Sequence, residues 1–133
     1  MKKVLIIHSR DDNVAEIAQG IKDGAEKNGH NIDVMSTDER GKVVSFYPYD
    51  LVIAGCETLS IFRGKIPGEI TNFLKECKRT AGQEAVAFVT PRFFATTKAL
   101  RQLMGRLEEQ GCIVNDFQNF SRYNDAVSYG ESL

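Results

Sequence analysis

Apolar runs without polar alternation are what most constrain this chain. Val4-Leu5-Ile6-Ile7, Leu51-Val52-Ile53-Ala54-Gly55 and Ala85 to Val89 are each a handful of residues long. A strand with one wet face alternates, so such runs read as strands covered on both faces, the pattern of a parallel sheet. Between them the period changes. Val14, Ile17, Ala18, Ile21 and Ala25 fall on one helical face, which Asn28-Gly29 can close with a left-handed cap. Pro67 suits the first turn of a helix whose buried stripe is Ile70, Phe73, Leu74 and Cys77. Leu100, Leu103, Met104 and Leu107 define another helix over 98–110, with Gly111 in place to end it. Ile32 to Met35 reads as a further strand, and Cys112-Ile113-Val114 can start a fifth.

Strands alternating with helices and joined by right-handed crossovers imply a three-layer α/β sandwich around a five-stranded parallel sheet. No linker or repeat interrupts it, so residues 1–133 are expected to form one domain. Residues 37–49 are ambiguous: Val43, Val44, Phe46 and Tyr47 fit either a short helix or a loop packed onto the core.

Charge and cysteine usage exclude several functions. A net charge of -1 lacks the basic footprint of a nucleic-acid binder. The start, Met1-Lys2-Lys3 before four apolar residues, is too short for a signal segment or membrane span. Cys56, Cys77 and Cys112 are odd in number and have no metal-type spacing, so neither disulfides nor a metal site is expected. Reduced thiols fit a cytoplasmic protein. Cys56 is expected to be a buried, inert thiol, since no second cysteine lies close in sequence. His8 and His30 have no nucleophile and carboxylate grouped with them in sequence to suggest a triad. Lys75, Lys78 and Arg79 fall at a helix end, where they complement its dipole.

In open α/β sheets a ligand lies beyond the carboxyl ends of the strands, where strand order reverses. Three loops qualify: Ser9 to Asn13, Cys56 to Lys65 and Thr90 to Thr97.

At these loops the sequence resembles the flavodoxins. The strand ending in Ser9, then Arg10 to Asn13 and Val14-Ala15-Glu16-Ile17-Ala18, is similar to the family's Ser/Thr-x-Thr-Gly-Asn-Thr opening. Tyr49 to Thr58 resembles its third strand and following loop. Gly64-Lys65-Ile66-Pro67, leading to Asn72-Phe73-Leu74, is more like the flavodoxin-fold quinone reductases. The resemblance runs from about Lys2 to Val114 and implies sheet order 2-1-3-4-5.

It also implies FMN and electron transfer with a redox protein partner. The phosphate would meet Ser9, Arg10, Asn13 and Val14. The ring would lie between Thr58, Leu59 and Phe62 on one side and Thr90, Pro91, Arg92, Phe93 and Phe94 on the other. The sequence departs from the pattern in two places. Asp11-Asp12 stands where the family has Thr-Gly, and either caps the helix or borders an altered phosphate site. Leu59 replaces a stacking aromatic, a role Phe62 can take. The implied alternatives are a flavin-free interaction or regulatory module and a small NAD(P)H-dependent flavin quinone reductase. After Phe117 the chain has room for only a short last helix, or none. Apolar sheet left open near the first helix would then favour a homodimer through that face.

Overall fold

The computed structural model describes residues 1–39 and 43–133. The apolar runs become β1 (Lys3–His8), β3 (Leu51–Glu57) and β4 (Glu84–Thr90), with β2 at Asn31–Ser36 and β5 at Ile113–Asn119. All pairings are parallel and the sheet order is β2-β1-β3-β4-β5, as the resemblance implied. Among the described residues four α-helices cover it: α1 (Asp12–Glu26), α2 (Gly68–Glu76), α3 (Thr96–Glu109) and α4 (Tyr123–Glu131).

Alternate residues of each central strand feed two separate cores. Val4, Ile6, Leu51, Ile53, Val86 and Phe88 pack with α1, while Leu5, Ile7, Val52, Ala54, Ala85 and Ala87 pack with α2 and α3. Burial of β1, β3 and β4 on both faces is the physical reason their sequences carry no alternation. β5 is an edge strand, and its exposure does alternate. A register shift opposite Ala85/Val86 puts an extra residue, Asn115, into it.

Helix ends follow the local sequence. Gly29 and Gly111 adopt φ of 81° and 86°, the left-handed region that closes α1 and α3. Pro67, expected inside the first turn of α2, is instead its N-cap, with extended backbone at φ -60° and ψ 136°. Lys75 lies in the last turn of α2, as the dipole reading required, but Arg79 stacks on the Tyr47 ring at 5.1 Å.

The connector between β2 and β3 forms no helix among the described residues; residues 40–42 lie outside them. Lys78 donates its N–H to the Val44 carbonyl, and Phe46 donates to the Lys78 carbonyl, at 2.8 and 2.9 Å. That bridge lowers Val44 and Phe46 into the core beside β1 and β3, where a helix would otherwise sit.

The last helix is short, as expected, but the face beside α1 is not open. Gly20 of α1 meets Ala126 of α4, Gly24 meets Val127 and Glu131, and Gly130 of α4 meets Ile21 and Ala25; Gly20 and Gly24, like Ala126 and Gly130, are four apart and so on one side of their helix. A Cβ on Gly24 would stand 2.0 Å from the Val127 carbonyl oxygen, so the backbones nearly touch. Phe120 and Tyr129 close the core behind this seam, with ring centroids 5.4 Å apart. The open face that favoured a homodimer is thus covered. Ile113 and Phe117 are exposed on the edge strand β5.

Candidate functional site

Because β1 connects to one side of the sheet and β3 to the other, the strand order reverses between them. The loops after β1, β3 and β4 accordingly meet at one end of the sheet, with the N-terminus of α1 among them.

The first loop is organised around carboxylates. Asp11 is the N-cap of α1: its Oδ2 accepts the Val14 N–H at 3.1 Å, and its carbonyl accepts the Ala15 N–H at 3.0 Å. Asp11 thus caps the helix. Ser9 is fully buried, and its hydroxyl donates to Glu57 Oε1 at 2.6 Å. Arg10 Nε pairs with Glu69 at 2.8 Å and with Asp38 at 3.4 Å. Thr37 donates its hydroxyl to the same Glu69 oxygen at 2.6 Å. Asn13 is exposed, whereas the Val14 side chain is buried and offers this loop only its N–H.

The other two loops form one apolar surface. Thr58, almost fully buried, donates to the Thr90 carbonyl at 2.8 Å and holds the loops together at their base. Arg92 donates to the Leu59 carbonyl at 3.2 Å, and Lys98 to the Phe62 carbonyl at 3.3 Å. Gly64 (φ 63°) permits this closeness, because a Cβ there would lie 2.3 Å from Lys98 Cβ. Across the two loops Phe62 and Phe94 stack, with centroids 6.0 Å apart and planes 8° from parallel. Both rings, and Phe93, are more than two-thirds exposed or close to it, at 67%, 78% and 79%. Leu59 and Ile61 are exposed as well. Phe93 has φ 45°, unfavourable for a bulky residue and a cost that the surrounding turn must sustain.

A cleft of about 450 Å³ opens beside these loops, lined by Asn13, Glu16, Ile17, Thr90, Pro91, Ser121, Arg122 and Tyr123. Ser121 and Arg122 belong to the loop after β5, which sequence reasoning left out, and Tyr123 begins α4. The rule that found the other three loops applies equally to the end of a fifth parallel strand. Glu57 and Glu69 were also missed, since only the folded chain brings them to Ser9 and Arg10.

Of the remaining candidates, Cys56 is buried, and burial, reinforced by the charges of Glu57 and Glu69, pushes its thiol far up. That makes it inert, as expected. Cys77 is pushed up to about 12, again mainly by burial. His30 has a structural role: its Nδ1 accepts the Lys2 N–H at 2.9 Å, leaving Nε2 to donate to the Leu133 carbonyl at 2.8 Å. His8 Nδ1 lies 2.7 Å from the Ser9 carbonyl. Among the described residues no group of three His, Cys, Asp or Glu side chains could hold a metal ion, and no helix is long and apolar enough to cross a membrane.

No protein-family model matches the sequence, and no curated protein does. Solved structures do match. Oxidised flavodoxin 1 from Bacillus cereus superposes with a TM-score of 0.73 at 18% identity, over 96% of this chain and 94% of that one. Flavodoxin 2 from the same organism gives 0.71 at 19%, over 98% and 93%. Two-electron reduced Megasphaera elsdenii flavodoxin gives 0.72 at 12%, over 97% and 96%. At such identities the likeness speaks for architecture alone. With its strand order and layers, it establishes that this chain has the flavodoxin-like fold.

Proposed function

We propose that this protein binds FMN through the aromatic loops after β3 and β4 and takes part in electron transfer to a redox protein partner. The observation that carries this reading is the near-parallel pair Phe62 and Phe94, held exposed across two loops at the sheet's ligand-binding end. Exposed aromatic side chains gathered in one place mark a binding surface, and a planar ring is the shape that stacks on such a pair. A bound flavin would supply the electron chemistry. Phe62, Phe93 and Phe94 would shield it from water, while Arg92 and Lys98, tied to the neighbouring backbone, would bring positive potential.

The residues fit the ring better than the phosphate. At the start of α1 the Asp11 carboxylate holds the place an anion would take, and Ser9 and Arg10 are engaged by Glu57, Glu69 and Asp38. This same observation favours a second reading, a flavin-free flavodoxin-fold module acting through protein contacts. The test is titration of FMN against the purified protein, following flavin fluorescence. Saturable quenching is expected, with Phe62→Ala and Phe94→Ala each weakening binding by about 1–3 kcal/mol, the worth of one stacking face. Protein that leaves saturating FMN and riboflavin unquenched would refute the flavin reading in favour of the second. If FMN binds, NAD(P)H oxidation with a quinone acceptor would identify a reductase instead of a carrier.

A further inference from the structure

We infer that the ligand site of this chain does not favour the flavin phosphate, so that uncharged riboflavin binds at least as tightly as FMN. The inference rests on the flavin reading above and concerns which form of flavin the site selects.

The phosphate of a ligand at this switch point belongs at the N-terminus of α1, where helix N–H groups and the dipole favour an anion. In this chain that place already holds one. Asp11 Oδ2 takes the Val14 N–H at 3.1 Å and the Asp11 carbonyl takes that of Ala15. The two side chains best suited to add donors each have a carboxylate beside them. Ser9 gives its only hydroxyl proton to Glu57 at 2.6 Å, from a fully buried position that cannot turn to solvent. Arg10 lies between Glu69 and Asp38, and Thr37 also donates to Glu69. Asp12 adds another carboxylate in the first turn of α1.

A phosphate carrying close to two negative charges would therefore meet Asp11, Asp12, Asp38, Glu57 and Glu69, with Arg10 already paired among them. Within a Debye length of about 8 Å, such charges repel it rather than merely failing to attract it. The ring end has no such conflict. Phe62, Phe93 and Phe94 are apolar, and Arg92 and Lys98 are the cations tied to their loops. The ring thus supplies the affinity, and the phosphate adds none.

The experiment titrates the purified protein separately with riboflavin and with FMN, following flavin fluorescence at low and at high ionic strength. It is repeated on Asp11→Asn/Asp12→Asn, in which Asn keeps a capping oxygen without the charge. The expected ratio of the FMN Kd to the riboflavin Kd is at or above about 1 at low salt, and it should fall as salt screens the carboxylates. In the variant it should fall by about tenfold, the scale of one charge-assisted contact at a helix N-terminus. FMN binding tenfold or more tighter than riboflavin in the wild-type protein would overturn the inference and leave the flavin reading standing. A ratio above about 1 that is indifferent to salt would also overturn the repulsion argued here, and that arm needs no variant to fold. If the wild-type protein binds neither flavin, both fall together.

Discussion

The contact between α1 and α4 makes a sharp forecast, because glycine there is needed for space and elsewhere is only a helix weakener. Gly24→Ala removes a residue that costs a helix interior about 1 kcal/mol, so propensity alone predicts stabilisation. Geometry predicts the reverse. The added Cβ would lie 2.0 Å from the Val127 carbonyl oxygen and 2.9 Å from the Glu131 nitrogen, both backbone atoms that no rotamer change can move. Reaching an ordinary contact of 3.4 Å requires α4 to retreat by about 1.4 Å, the difference between those two distances. That movement opens the packing of Ala126, Phe120 and Tyr129 and strains the Tyr129–Asp116 hydrogen bond of 2.8 Å. Overpacking against backbone costs about 1–3 kcal/mol, and a weakened buried hydrogen bond adds about 1 more. The net expectation is a loss of about 1–3 kcal/mol once the propensity gain is set against it. Gly105→Ala is the internal control, since nothing lies within 4 Å of a Cβ there. It should gain up to about 1 kcal/mol. Urea unfolding of both variants, with the m-value checked for constancy, measures the contrast. If the two substitutions shift the midpoint in the same direction, the close approach is not real and the argument for the covered face fails.

Other outcomes follow from individual side chains. The Asp23 carboxyl is held below its usual value, first by the Tyr123 hydrogen bond and then by that of Gln19. A depressed carboxylate contributes stability above its unfolded pKa of about 4 and loses it as pH falls through the folded value. The stability difference between wild type and Tyr123→Phe should therefore shrink as pH falls from 7 towards 2 in urea titrations, and a constant difference would contradict the link. Cys56, Cys77 and Cys112 are buried with raised thiol pKa values. Iodoacetamide at pH 8 should leave all of them unmodified in the native protein and label them in urea, as mass spectrometry can read; rapid native labelling of Cys56 would reopen a redox role. Gly64→Ala should cost about 2 kcal/mol or more, from its φ of 63° and the 2.3 Å approach to Lys98 Cβ. It should also weaken the proposed flavin binding by loosening the loop that carries Phe62, and unchanged affinity would detach that loop from the site.

What the sequence revealed depended on how local its causes were. The central strands were legible because burial on both faces imposes unbroken apolar runs, and α1 and α3 because a stripe and a terminal glycine mark each one. The β5 strand was legible only at its start: past Val114 it is an edge strand of mostly polar residues, with a bulge at Asn115. Val44 and Phe46 carried no period, since a bridge to Lys78 buries them. The α1–α4 seam was overlooked for a related reason. A search for large apolar residues passes over Gly20, Gly24 and Gly130, yet here the absence of side chains creates the contact.

The candidate site divides along the same line. Its location followed from topology, and its aromatic half from the presence of Phe62, Phe93 and Phe94 in loops that water would otherwise claim. Its acidic half did not follow, because Asp11 beside a helix start has two incompatible uses and sequence offers both. The N–H groups at the start of α1 can be satisfied by the chain's own carboxylate or by a ligand's phosphate, but the two compete for the same field. Asp11 settles that competition locally, and Glu57 and Glu69 reinforce it by engaging Ser9 and Arg10. The first turn of α1 is thus capped by a side chain of the protein itself. Any flavin that binds should then stabilise chiefly the loops after β3 and β4, where Phe62 and Phe94 are solvent-exposed.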